Sequence, residues 1–450
     1  MSHARTRPRR TARRTEQGAA SRPARPVAWV RAAAELFARA VRAARPLDAE
    51  VADTLKRHRE LMGDERRRAV ECAYAMLRRR RLLEDAAARL PFEPTREALV
   101  ALHLVDVGEA AGLPFAAEEL RAIERALKEA RAALGHLDLA EALARVTPVP
   151  AWLIRRLAAR LGDDDARALC LGLGEEAPVT VRVNTLKATR DEARAALAAE
   201  GISSRPAALS PVGLILEERV PLHRSQTFRD GLIERQDEGS QLLSLLSGAR
   251  PGMTVVDGCA GAGGKTLHLA ALLGNRGSLY ALDVNGRRLD ELRRRSRRAG
   301  IHNVRAHLVA EDRSLLRRLS GAADVVLVDA PCSGSGTLRR APDIGWKLEE
   351  GAVERLILEQ RDLLSGYAAL VRPGGRLVYS TCSVLEEEGA DVVERFCDEH
   401  PSFSVKPAGD ALGDEGVALE AGPFLRLRPD RHDTDGFFGA VLVKKGGASR

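Results

Sequence analysis

Twice in this chain an apolar run ends in a thiol. Residues 327–340 read LVDAPCSGSGTLRR and residues 377–383 read LVYSTCS, which places Cys332 and Cys382 just past two strand-like segments. A free cysteine usually fills space as a small buried apolar group. Both of these lie instead in polar, small-residue turns, where a thiol stays reachable and reactive. A thiolate so placed can bond transiently to an electron-poor carbon, which is covalent catalysis. Asp329, three residues before Cys332, is placed to offset charge developing on the attacked group.

A third strand-like run ends in VVDGCAGAGGKT (255–266). Glycines let the backbone approach a ligand, and the helix that follows offers N–H groups to an anion. A phosphate-binding loop needs glycine where Cys259 stands, and the dinucleotide fingerprint needs a small residue where Thr266 stands. Asp257 in this turn remains, with Asp283 ending YALDV at the position that holds ribose hydroxyls. Asp312, after the next strand, can reach the far edge of the same ligand. An adenosine ligand without a polyphosphate is S-adenosylmethionine; a general nucleotide site is the alternative. Beside a methyl donor, a thiol suggests one reaction in particular. C5 of cytosine is a poor nucleophile until a thiolate adds at C6, and a second thiol can then assist release. Lysine opposes the dipole at a helix N-terminus, so Lys265 is expected to make a polar contact to substrate or cofactor.

These residues need a frame that brings strand ends together. TVVDGCA, SLYALDV, VRAHLVA, DVVLVDA and RLVYSTCS are short Val/Leu-rich runs with helical text between most of them, and FGAVLVKK follows near the end. That alternation predicts a doubly wound α/β domain with a parallel sheet covered on both faces. VTVRVNTLKATRDEARAALAAEGI and GLILEERVPL predict a small α+β unit, a kind that often binds RNA, although no aromatic stacking pair is evident. Upstream, Trp29, Ala33, Leu36, Phe37, Ala40 and Val41 recur at helical spacing. Ala/Leu/Arg/Glu-rich segments follow at 47–61, 64–87, 94–110, 117–134 and 138–145, predicting an all-helical domain.

The six cysteines are scattered without a CxxC pair, which excludes a disulfide framework and a zinc pattern and fits a reducing cytoplasm. No stretch approaches the ~18 apolar residues of a membrane span. Of the net charge of +8, residues 1–30 carry eight Arg against one Glu. That tail reads as disordered, serving either solubility or polyanion contact. Basic clusters recur at Arg78–Arg81 and 287–300, and the second reads as a solvated helix face as much as an RNA track. Cys72, Cys170 and Cys397 fall in helical text and read as core or incidental, and Trp346 and Tyr379 as core.

DGCAGAGGKT, DAPCSGSGTLRRAPDIGW, LVRPGGRLVYSTCS and HDTDGFF together resemble the Sun/Fmu-type (NOL/NOP2/Sun) RNA cytosine-5 methyltransferases, with softer echoes in VRVNTLK and FRDGLIERQDEGSQLL. The resemblance implies a basic tail at 1–26, a helical domain like the antitermination factor NusB at 27–145 and linker helices with an RRM-like unit at 146–235. A Rossmann-like methyltransferase domain then fills 236–450. It implies methyl transfer from S-adenosylmethionine to C5 of a cytosine in RNA, 16S ribosomal RNA foremost, by a cytoplasmic monomer without metal. It makes Cys382 the nucleophile and Cys332 the thiol that helps release product, with Asp329 and Lys265 completing the catalytic set. Asp257, Cys259, Ala260, Gly261, Ala262, Gly263, Gly264, Lys265, Asp283, Asp312 and Asp329 are then the cofactor-binding set, although Cys259 alone reads better as a packed side chain. Arg340 and Asp343 are implied to order the loop over the site. Two departures stand out: Gly261-Ala262 replaces Ala-Pro, which should loosen the cofactor loop, and EEEG replaces PEEN after the second thiol. A non-catalytic ribosome-assembly factor, a tRNA methyltransferase and an amino-methyltransferase are the alternatives. Intact Cys332, Cys382 and Asp329 oppose the first, and DAPC in place of an NPPY-like turn opposes the last.

Overall fold

The computed structural model describes residues 27–42, 45–110, 115–309 and 314–446. The basic tail at 1–26 and Asp312 lie outside the described residues. None of the described helices is long and apolar enough to cross a membrane.

Among the described residues from Ala28 to Gly174 the regular elements are all helices, and Trp29, Ala33, Leu36, Phe37 and Ala40 turn their predicted stripe into the core of that region. Side-chain caps start several of its helices: Thr95 Oγ1 accepts from Ala98 N at 3.1 Å, and Asp138 Oδ1 from Glu141 N at 2.7 Å, relieving N–H groups that the first turn leaves without partners. The helix expected over 64–87 is two, Gly63–Arg78 and Arg80–Ala87, interrupted at Arg79 where φ is −118°.

A small antiparallel sheet follows. Its strands β1 (Val179–Val183), β2 (Ser204–Pro206), β3 (Gly213–Leu216) and β4 (Ile233–Arg235) run in the order β2-β3-β1-β4. Val181, Val183, Leu214 and Ile233 close a core against Ala193 and Leu197 of the helix Arg190–Ala199. That helix opens with a capping box from Thr189 and Glu192.

The remaining strands form one eight-stranded sheet. They are β5 (Thr254–Asp257), β6 (Ser278–Asp283), β7 (Val304–Leu308), β8 (Ala323–Asp329), β9 (Val371–Thr381), β10 (Phe403–Lys406), β11 (Leu425–Leu427) and β12 (Phe437–Lys444). The order is β10-β12-β9-β8-β5-β6-β7, with β11 on β12. Strands β5 to β9 pair in parallel, and β12 is antiparallel to β9. The chain leaves β5 toward β6 on one side and returns through β8 on the other. This reversal opens a crevice at the carboxyl ends of β5 and β8, where ligands bind in such sheets.

Part of the basic stretch 287–300 proves to be a docking surface. It forms the helix Gly286–Ala299, and its Arg298 meets Glu234 of β4 at 2.5 Å and stacks over Phe228 at 4.0 Å. Asn184 Nδ2 donates to Ala299 O and Lys187 Nζ to Arg298 O. Neither a wholly solvated face nor a wholly free RNA track fits this helix, because Arg295 and Arg298 tie it to Glu234 of the small sheet.

Candidate active site

Strands β8 and β9 lie side by side with Asp329 opposite Ser380. The register brings the two cysteine turns together. Cys332 Sγ and Cys382 Sγ stand 3.2 Å apart, and both side chains are half-buried. Cys382 is therefore not sealed in the interior. Gly336 N donates to Cys382 O at 3.0 Å, and Gly436 N donates to Gly336 O at 2.8 Å. This crossing needs glycine: a Cβ at 336 would fall 2.0 Å from Gly436 O. The SGSG run and the closing HDTDGFF thus meet over the thiols.

Lys265 enters from the first turn of the helix Gly264–Leu272 and places Nζ 2.7 Å from Asp329 Oδ2. Ser380 Oγ donates to Asp329 Oδ1 at 2.9 Å. Burial alone would lower the Lys265 ammonium; the Asp329 carboxylate outweighs it, with Cys382 adding to the pull, and the net shift is upward. The cation stays charged, opposed to the helix dipole but paired. The Cys332 thiol is held well above its ordinary range, first by its hydrogen bond to Cys382, then by burial and by the charges at Cys382 and Glu388.

The cofactor turn sits at the next strand end. Asp257 is buried at the end of β5, accepts from Thr266 Oγ1 at 2.7 Å through Oδ2, and leaves Oδ1 without a partner. Burial raises its carboxyl to about 7. Asp283 Oδ2 accepts from Gly261 N at 2.8 Å and its Oδ1 from Asn285 N at 2.7 Å. Arg295 Nη1 donates to Ala262 O at 2.7 Å. Gly261 and Ala262 are thus tied on both sides, which offsets the loosening expected from losing the Ala-Pro pair. Cys259 packs against the core with its thiol pushed up by burial. Cys72 and Cys170 are buried, with thiols raised to about 12, and Cys397 is half-buried.

Arg340 bridges Asp237 and Asp435, each at 2.6 Å, and Asp343 pairs with Lys347 at 2.7 Å. Beside them opens a cleft of about 950 Å³ between the helices, the small sheet and the large one, lined by both basic side chains such as Arg78 and Arg235 and acidic ones such as Asp48, Glu71 and Glu176. Trp346 is half-buried, donates Nε1 to Leu77 O, and carries Arg81 over its ring at 4.3 Å. Tyr379 is wholly buried.

Sequence reasoning missed the carboxylate beneath the thiols. Glu388 is 0% exposed, and nothing in the sequence reading gave it a role. Gly389, where the resemblance expects Asn, lies under the Phe438 ring, which a Cβ would approach to 2.8 Å. The visible signal was that EEEG keeps the glutamate of PEEN at position 388 while departing from it at 386 and 389. Asp237 and Asp435, the anchors of Arg340, were also missed, although Asp435 lies within HDTDGFF.

Comparison with known proteins bears on the same residues. The family described as 16S rRNA methyltransferase RsmB/F matches residues 245–443, and a ferredoxin-like domain of the RsmF/B-like methyltransferases matches 149–223. A Bacillus subtilis (strain 168) protein named probable ribosomal RNA small subunit methyltransferase B is 32% identical over 319 residues, 69% of each chain. Its namesake from Synechocystis is 31% identical over 296 residues, 66% of each chain. The crystal structure of PH0851 covers 93% of this chain and 98% of its own, with 26% identity and a TM-score of 0.74. A methyltransferase homologue from Pyrococcus horikoshii covers 69% of this chain and 99% of its own, with 29% identity and a TM-score of 0.58.

Proposed function

The chain belongs to the 16S rRNA methyltransferase RsmB/F family, and from that premise we propose that it transfers a methyl group from S-adenosylmethionine to C5 of a cytosine in 16S ribosomal RNA through a transient Cys382–C6 bond. One observation carries the reading: two half-buried thiols 3.2 Å apart at adjacent strand ends, beside the Lys265–Asp329 pair.

The residues at the strand ends fit the cofactor. Asp257 offers an unpartnered buried oxygen to a cationic group. The helix after Gly263 offers N–H groups to a carboxylate, and Asp283, at the end of β6, lies where ribose hydroxyls are held. S-adenosylmethionine supplies an electrophilic methyl group there.

The chain's own residues prepare the acceptor. Cys382 attacks as a thiolate, its electron pair forming the S–C6 bond, while the C5–C6 π pair moves to C5 and onward to N3. The Lys265 ammonium lies within Coulombic reach of the Cys382 sulfur and favours that thiolate. The Lys265–Asp329 pair offsets charge at N3 as it develops. Once C5 is methylated, a base takes the C5 proton, the C5–H pair re-forms the C5–C6 double bond, and the C6–S bond breaks with its pair returning to sulfur. Cys332, in contact with that sulfur, serves the release. The exposed Arg235 in the 950 Å³ cleft, whose lining otherwise mixes acidic with basic side chains, offers a contact to a flanking RNA phosphate.

The test is product identification. Purified protein, S-adenosylmethionine and 16S rRNA, free or in small-subunit particles, are incubated and the RNA is digested to nucleosides for mass spectrometry. The expected product is 5-methylcytidine at one site. N4-methylcytidine, or no methylated nucleoside on either substrate, would overturn the reading.

A further inference from the structure

One carboxylate touches both cysteine turns. Glu388 Oε2 accepts from Ser333 Oγ at 2.5 Å and from Ser383 Oγ at 2.6 Å, and Oε1 accepts from Ser333 N at 2.8 Å and Gln360 Nε2 at 2.9 Å. Ser333 and Ser383 directly follow Cys332 and Cys382. Gln360, from the helix Glu350–Ala368, also donates to Pro331 O just before Cys332, and Tyr379 OH donates to the Glu388 carbonyl at 2.7 Å. Ser335 Oγ lies 2.9 Å from Ser383 Oγ and accepts from Val384 N.

All four partners of the carboxylate donate, which suits a group that only accepts. Burying it without them would be costly. The ladder between β8 and β9 holds without it, because its backbone pairing runs as far as Asp329 and Ser380. What Glu388 adds lies beyond the ladder, at the thiols. The titratable groups acting on Cys332 are Cys382, Glu388 and Tyr379, while Lys265, paired with Asp329, acts on Cys382. Glu388 takes two hydrogen bonds from Ser333 and one from Ser383, and Gln360 links it to Pro331, so the anion leans to the Cys332 turn.

We propose that Glu388 is a positioning residue for the thiol chemistry: it clamps the two cysteine turns in one register, and its charge keeps a proton on Cys332 while Cys382 attacks. The proposal rests on the Cys382-adduct reading above. In the attack the S–C6 bond forms from the Cys382 pair, and Cys332 retains its S–H bond. That polarisation explains why two neighbouring thiols act differently although both end a strand of the same sheet. The direction of the Cys332 shift agrees with it.

The test uses the full chain with E388Q and the double variant S333A/S383A. Cofactor affinity, RNA KM, kcat and the pH dependence of iodoacetamide alkylation at each cysteine are measured, the last by peptide mass spectrometry. E388Q is expected to lower kcat by ~10–100-fold with RNA KM and cofactor Kd within about threefold. Alkylation of Cys332 should begin at lower pH. S333A/S383A should also lower kcat but leave the Cys332 alkylation profile where it was, since the charge remains. A wild-type kcat in E388Q, or an unmoved Cys332 profile, would overturn the proposal. If E388Q does not fold, the double variant decides: unchanged kcat overturns the clamp, and reduced kcat at unchanged KM supports it. Failure of C332A to trap RNA would sink the underlying reading, whereas a trapped adduct with an indifferent E388Q sinks only this proposal.

Discussion

Lys265 Nζ lies 2.7 Å from Asp329 Oδ2, so the helix that opens the cofactor turn is tied by charge to the strand that ends in the first thiol turn. The pair joins two of the ligands' expected sites. Replacing Lys265 by Met keeps the stem and removes the charge, leaving Asp329 without its cation and removing the ammonium that acts on Cys382. The expected outcome is a ~10²–10³-fold fall in kcat with RNA KM within about threefold, read by steady-state methyl transfer. Near-wild-type kcat in K265M would show that the pair is structural.

Asp257 gives a pH dependence with a definite sign. Burial raises its carboxyl to about 7 in the folded chain, against ~4 for an unperturbed aspartate. Between these values the folded state holds a proton that the unfolded chain has lost. Stability from this group therefore falls as pH rises from about 4 to about 7. Binding a cationic group at Oδ1 requires the ionised form, so cofactor affinity should rise over the same range. Below pH 7 it should weaken by up to ~10-fold per pH unit. Calorimetric titration in buffers of different ionisation enthalpy should report proton release near pH 6. D257N should lose both the affinity and its pH slope.

Arg235 is exposed at the end of β4 and lines the cleft. If flanking phosphates lie there, R235A should weaken RNA binding and reduce the slope of log K against log salt by about 1. Cofactor binding should not change. Filter binding from 50 to 200 mM salt measures this, and an unchanged slope would place the RNA elsewhere.

The parts legible in the sequence were those written in local patterns. Val- and Leu-rich runs between helical stretches specify the parallel sheet, and Cys332, Cys382, Asp257, Asp283 and Asp329 could be located because each ends or follows such a run. What escaped depends on contacts between distant segments. Glu388 is buried only because Ser333, Ser383 and Gln360 converge on it from three elements. Arg298 looked like surface charge until Glu234 and Phe228 met it from the small sheet. The break at Arg79 carries neither glycine nor proline to announce it. Strand β2 is three residues long and ends in Pro206, which suits an edge strand but leaves no alternating pattern to read.

Trapping is the most direct measurement. Cys332→Ala is incubated with S-adenosylmethionine and target RNA, then resolved on a denaturing gel. A protein–RNA band should accumulate because methylated product is not released, and Cys382→Ala introduced into the same chain should abolish it. A band that survives the loss of Cys382 would contradict the assignment of that sulfur as the nucleophile.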